Sequence, residues 1–449
     1  MEENSKRTNI DEESSMKKIV SYALPRFPSS VVLGIVGFAL FFLYTQAYNL
    51  RPFLASLAIG FGYFSIAASQ FLIGWISDVT YTKLGRRKPY IFILTPILAI
   101  SFIFLLLPNL FLDSPTENTL FLWLLIWDIT FQASYGVTTP YQSWMAEQFP
   151  TEERPKVSQY QNIFNMIGNG LMAIFSFVVL TDVKDKLQAN PEVIPLEFLL
   201  TVVIFAFLVL AFFYFSVWNI ETEPYKEIQS NMLDNLKTIL NNKNYLLVVF
   251  MQGIASFAWI MVTTIMLNFI DIVLAFGTIE YLIAAVILLA GIIGFLAIWK
   301  RLIKKYGKKQ SLLYVYLFGI LFLPTSLLGL LSLNSLLNLI YGVLFMLGIA
   351  ALLGGWFLFP YIMYADLAED DEVKTKEMKA GIYTGFPSII LNILQAFGTM
   401  FLGLILELPS LMGYPFSVGY VIWGPICSGI LLLTFVYTKK YVTLDYEWE

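Results

Sequence analysis

Asp128 is the residue in this 449-residue chain whose type and position are best suited to chemistry. It follows Trp127 about ten residues into an apolar run, 119–145. If that run crosses a bilayer, the carboxyl group lies well inside the hydrocarbon. A lone carboxylate at such depth is expensive to keep ionised, and no Lys or Arg stands in the middle of a comparable run to pair with it. Taking up a proton on one side of a membrane and releasing it on the other is a use that suits such a group. Asp128 is therefore the candidate cation-coupling residue, with H+ as the expected ion. An Asp that reaches an aqueous vestibule or a backbone partner would need no such role, and that alternative stays open.

Uncharged polar side chains repeat at helical spacing around it. In the same run Asp128, Gln132, Tyr135, Thr139 and Gln142 fall at steps of four, three, four and three, which is one helix face. Ser158, Asn162, Asn165 and Asn169 do the same in the next run. So do Gln252, Ser256, Trp259 and Thr263, and Thr384, Ser388, Asn392, Gln395 and Thr399. In lipid, polar side chains turn toward other helices or toward a cavity. Single residues of this kind often serve only as glue between helices. Stripes on several helices point instead to a lumen, and amides beside Tyr135, Trp259, Trp356 and Tyr383 suit a sugar. That ligand needs paired donors and acceptors and an aromatic face for its C–H surface.

A third constellation is ionic. Gly74–Pro89 reads GWISDVTYTKLGRRKP and joins two apolar runs through Asp78, Gly85, Arg86 and Arg87. Any short basic loop on the cytoplasmic side has such cations. An acid at a helix end with arginines a few residues on also suits a latch. Glu147 and Arg154 lie seven residues apart across another helix end, and pairing across helices suits them better than pairing with each other. Asp78, Arg86, Arg87, Glu147 and Arg154 are expected to form an inner gate, with Gly74 and Gly85 shaping it and Asp366 in the matching place of a second half.

Composition sets the frame. The chain is 58% hydrophobic and 13% charged, with mean hydropathy +0.71. Soluble proteins hold about 25% charged residues. The solvent of this chain must be lipid. It has no His and a single Cys, Cys427, which removes His-based acid–base work, most transition-metal sites and any intramolecular disulfide. A net charge of −4 with no basic patch gives no sign of nucleic acid. Residues 1–30 lack the hydrophobic core of a signal peptide.

Twelve runs are long enough to span: 30–50, 53–77, 90–112, 119–145, 158–181, 196–218, 244–270, 279–299, 310–332, 335–364, 380–406 and 416–437. With both termini inside, all of the 28 Lys and Arg except Arg51, Lys184 and Lys186 fall on the inner side. The expected topology is therefore N-in and C-in. The chain repeats itself as well. Gly85-Arg86-Arg87-Lys88 returns as Gly307-Lys308-Lys309-Gln310, and Pro140-Tyr141 as Pro360-Tyr361. Lys300 stands where the second half should repeat Asp78, so the second latch is degenerate. Pro140 and Pro360 are expected to kink their helices.

The segment 74–89 resembles the loop between helices 2 and 3 of the major facilitator superfamily. Together with 127–154 and, less specifically, 360–395, it is similar to the glycoside–pentoside–hexuronide:cation symporters and their sucrose-type relatives. The resemblance implies an all-α membrane protein of twelve helices in two pseudo-symmetric six-helix halves, with helices 3, 6, 9 and 12 as outer props. It divides the chain into a cytoplasmic segment 1–29, bundles 30–219 and 244–437, a linker 220–243 and a tail 438–449. Melibiose-type members place acids in helix 2 for sodium and a Lys in helix 11. Here Ile66, Gln70 and Leu391 occupy those places, so Na+ is the less favoured ion.

The expected function is a secondary transporter in the cell membrane, coupling H+ to a glycoside or small sugar by alternating access. No cofactor is expected, and the partners are a small-molecule solute and the bilayer around a monomer. A transporter of an amphipathic lipid or drug-like solute, and a non-transporting sensor, stay open. An enzyme does not fit, because the runs hold no carboxylate pair, His or metal cluster.

Overall fold

The computed structural model describes residues 16–150, 152–191, 193–223, 225, 237, 240–331, 333–375, 386–411 and 413–444. Twelve of its helices are long and apolar enough to cross a membrane. They are α1 (Met16–Phe38), α2 (Pro52–Val79), α3 (Lys88–Leu106), α4 (Glu117–Met145), α5 (Arg154–Ala189) and α6 (Leu196–Asn219) in the first half. The second half holds α7 (Lys243–Val273), α8 (Thr278–Tyr306), α9 (Lys308–Leu330), α10 (Ser335–Tyr364), α11 (Pro387–Leu406) and α12 (Gly419–Tyr441). An even number of crossings puts both termini on one face, called here the terminal face, with the far face opposite.

Within the first half α1 packs on α5, α2 on α4, and α3 on α4 and α6. The second half repeats this with α7 on α11, α8 on α10, and α9 on α12. Between halves the broad seam is α2 against α11. There Met400 lies over Gly60, the Phe64 and Phe397 rings meet at 5.5 Å, and Glu407 accepts from the Phe53 N–H at 3.3 Å. The expected props are not simply the most lipid-facing helices. The apolar windows of α5 and α8 are 33% and 28% buried, against 44% for α3 and 50% for α12. At the centre, α1 and α7 are both 67% buried.

Two boundaries differ from the sequence expectation. The first helix begins at Met16 rather than residue 30, because Met16–Ala23 is amphipathic rather than apolar throughout. Its Ile19, Tyr22 and Ala23 are fully buried, while Lys18 reaches the Gln148 carbonyl at 2.9 Å. Of the expected kinks, α4 does break. Regular helix stops at Tyr135 and resumes at Thr138, just ahead of Pro140, which has no N–H to bond back. Pro360, in contrast, sits inside an unbroken helix, Ser335–Thr375. That helix also takes in Asp366–Asp371, which the sequence places in a loop.

Candidate functional site

Asp128 is fully buried where α4 meets α2. The fit depends on Gly62, since a β-carbon there would overlap the carboxyl oxygen Oδ2. Serine hydroxyls draw the two helices together on either side. Ser65 donates to the Ile129 carbonyl at 3.0 Å and Ser69 to the Ala133 carbonyl. Neither carboxyl oxygen has a hydrogen bond of full geometry among the described residues, and the Gln132 side chain, one turn along, is the polar group that lies within reach of it, its own Oε1 without a partner. Tyr44 and Tyr63 lie within electrostatic reach, but the Tyr44 hydroxyl is already given to the Leu105 carbonyl at 2.8 Å.

The expected ligand-binding residues fall into two groups. In the second half Trp259 and Trp356 bring their rings to 5.4 Å. The Trp259 indole Nε1 is buried without a partner among the described residues. Gln252, two turns away, gives its amide to the Met363 sulfur at 3.6 Å and leaves Oε1 unpaired. Asn392 and Gln395 are half-buried on α11, whose neighbouring Leu391 carbonyl accepts from Ser256 at 3.3 Å. In the first half Tyr135 is buried beside Phe131, and Thr139 lies against Gly74. Asn165 is taken up by Ser30, while Gln142 and Asn162 are exposed. Tyr383 lies outside the described residues.

The ionic constellation comes together at the terminal face. Gly85, at φ +89°, turns the chain after α2. Arg87 follows, 5% exposed, and its guanidinium spans three partners. It meets Asp78 at 2.5 Å, Glu147 at 2.6 Å and the Ser77 hydroxyl at 2.8 Å. Burial works against the Arg87 charge, but the hydrogen bonds and charges of Glu147 and Asp78 outweigh it and hold its pKa above the ordinary value. Arg86 instead lies over the Tyr81 ring at 5.9 Å, and Arg154 donates to the Phe149 carbonyl at 3.1 Å. In the second half Lys308, in the place of Arg86, meets Asp366 at 2.8 Å, where Asp366 stands in the place of Glu147.

Sequence reasoning missed Glu223. Only 3% exposed, it comes from the segment leaving α6 and accepts from the backbone N–H groups of Arg86 and of Arg87, the latter at 3.1 Å. Those groups open α3, so a carboxylate from 136 residues away caps its positive end. Its other oxygen accepts from the Trp144 indole at 3.1 Å, and Lys88 reaches the Ile220 carbonyl at 2.6 Å. A side chain at Gly85 would meet Thr222 and Glu223. The sequence offered one signal, an acid among few charges directly after an apolar span.

Residues 21–418 match one known family, described as MFS/sugar transport protein. The chain belongs to this family. The expected fold and the major-facilitator resemblance are thereby borne out, and the protein is a multi-pass membrane transporter rather than an enzyme. No curated protein sequence matches it. Among solved structures it is similar to a D-xylose-proton symporter, at TM-score 0.66 and 14% identity over 96% of this chain and 97% of that one. It also resembles the nucleoside transporter NupG, at 0.60 and 14% over 95% and 100%. A bacterial homolog of the human lysosomal transporter Spinster, inward-facing and occupied, gives 0.65 and 15% over 94% and 95%. At these identities the likeness is one of fold.

Proposed function

We propose that this family member is a proton-coupled symporter that carries a glycoside or small sugar by alternating access, with both termini in the cytoplasm of a cell whose outer boundary membrane holds it. One observation carries the reading: Asp128 is wholly buried in a notch cut by Gly62, with, among the described residues, no cation beside it and only the neutral Gln132 side chain within reach of its carboxyl group. Such a group is stable when neutral and must meet water or a partner to ionise, so its charge state is tied to helix movement at the α2–α4 contact. The orientation is supported by the placing of all but three of the 28 cations on the terminal face. For the ligand, the Trp259–Trp356 pair and the free valences of Trp259 Nε1 and Gln252 Oε1 offer an aromatic face with a donor and an acceptor beside it. These are neutral groups, suited to a neutral polyol.

The test is uptake into proteoliposomes across a panel of labelled sugars, with and without an inward proton gradient, for the wild type and Asp128→Asn. Gradient-driven accumulation of one sugar, lost in the variant while exchange persists, is the expected result. Accumulation that survives the substitution removes Asp128 from coupling. No uptake of any sugar under either condition overturns the solute assignment and turns attention to an amphipathic ligand.

A further inference from the structure

At the far face a second ionic constellation joins the two halves. Lys184, near the end of α5, meets Asp271, near the end of α7, at 2.7 Å, and their side chains are only 15% and 12% exposed. The Tyr281 hydroxyl, at the start of α8, donates to the same Asp271 oxygen at 3.0 Å. Beside them Asn268 in α7 donates to Thr45 at 2.8 Å, a second bridge between halves.

The local backbone aims these groups. Asp271 sits in a π-helical turn, Phe269–Val273, and Lys184 follows another, Phe175–Val179. Thr45 lies in a third, Leu43–Ala47. A π turn carries one extra residue and rotates everything after it by about 100° around the helix axis. Three such turns at one seam, in the segment after α1, in α5 and in α7, bring side chains inward that regular helices would direct elsewhere.

Lys184 also has a second acid within reach. Asp185 approaches it at 3.2 Å and is 74% exposed. Asp185 belongs to the same half as Lys184, and Tyr281 to the same half as Asp271. When the halves part, each charge therefore keeps a partner of its own. Breaking a half-buried pair outright is costly because it strands a charge, whereas exchanging one partner for another is not. The arrangement is that of a reversible catch.

We propose that Lys184, Asp271 and Tyr281 form the far-face latch of this transporter, closing the path opposite the Arg87 gate, with Asp185 receiving Lys184 when the latch opens. The assignment rests on alternating access and on no particular solute. It predicts that the latch sets how often the far face opens.

The experiment is a double-label distance measurement by pulsed electron resonance on the full chain in nanodiscs. Labels go on Asn190→Cys and Thr278→Cys, with Cys427→Ala to remove the native thiol. The unaltered latch should give a narrow short distance. Lys184→Gln or Asp271→Asn should raise the population of a longer distance about tenfold or more. The exchange Lys184→Asp with Asp271→Lys should restore the short distance, and Asp185→Asn should leave it the more populated. A distribution unchanged by both single neutralisations overturns the latch. So does a charge exchange that fails to restore the short distance while circular dichroism shows full helix content. Sugar uptake that fails while the distances move as expected sinks the proposed solute and leaves the latch standing, so the two readings separate.

Discussion

In the first half and the segment leaving it, Arg86, Arg87, Lys88, Asp128 and Glu223 are all less than a tenth exposed. In the second half, among the described side chains, Asp370 is the one charged group buried to that degree. The second half buries more neutral polar atoms without partners, Trp259 Nε1, Gln252 Oε1, Asn268 Oδ1 and the hydroxyls of Tyr316 and Tyr364, against Gln132 Oε1 and Ser216 Oγ in the first. The two halves share a helix plan and differ in what their interiors hold. Buried ions have steep, directional requirements and fix one geometry, whereas amides, indoles and phenols tolerate several. At the proposed gates the residues differ as well: Arg87 spans two acids and a hydroxyl, Lys308 pairs with Asp366, and Lys300 stands where a second Asp78 would be. On the proposed mechanism, the first half does the switching and the second receives the solute.

Removing Arg87 should have the largest effect. Arg87→Ala strands Asp78 and Glu147 and is expected to cost roughly 3–5 kcal/mol, read as a lower thermal midpoint in detergent. In the second half Lys308→Ala should cost no more than about 2 kcal/mol, and equal shifts would erase the contrast between the proposed gates. Next comes Gly62→Ala. Its methyl group must displace the Asp128 carboxyl or part α2 from α4, a strain of about 1–3 kcal/mol. Driven uptake should fall with it, while Gly294→Ala, which meets open space, should change neither stability nor uptake. Glu223→Gln keeps the shape of the cap and loses its charge. A destabilisation of about 1 kcal/mol is expected, together with faster alkylation of a cysteine placed at Leu84. Smallest should be Lys300→Asp, which supplies the missing acid. A gain below about 1 kcal/mol is expected, and a loss would show that the halves differ by more than this residue.

Much of the fold was legible because lipid demands long apolar runs, and twelve were plain. Met16–Ala23 escaped because two lysines break its apolar run, although Ile19 and Tyr22 on its other face are fully buried. In the site, Asp128 stood out as a charge in an apolar run, and Asp78, Arg87 and Glu147 stood out by their spacing near helix ends. Glu223 and the Lys184–Asp271 pair did not, because each looks like an ordinary loop or helix-end charge until distant segments meet. Gly62 carries no signal of its own, since only its neighbour across the helix contact gives it meaning. Arg86 and Arg154 were expected in the same gate by motif and spacing, but which guanidinium stands between Asp78 and Glu147 could not be read from them, and it is that of Arg87.

The cap supplied by Glu223 also bears on how the chain is made. Every group it engages, from Arg86 and Arg87 to Trp144, precedes it in the sequence. Among the described residues, Arg87 with Asp78, Glu147 and Ser77 likewise forms a cluster whose members all precede α7. Domains generally fold as units, the earlier ones during synthesis. The first bundle can therefore seal its charged face while α7 is still in the ribosome, and the second bundle inserts beside a partner already set.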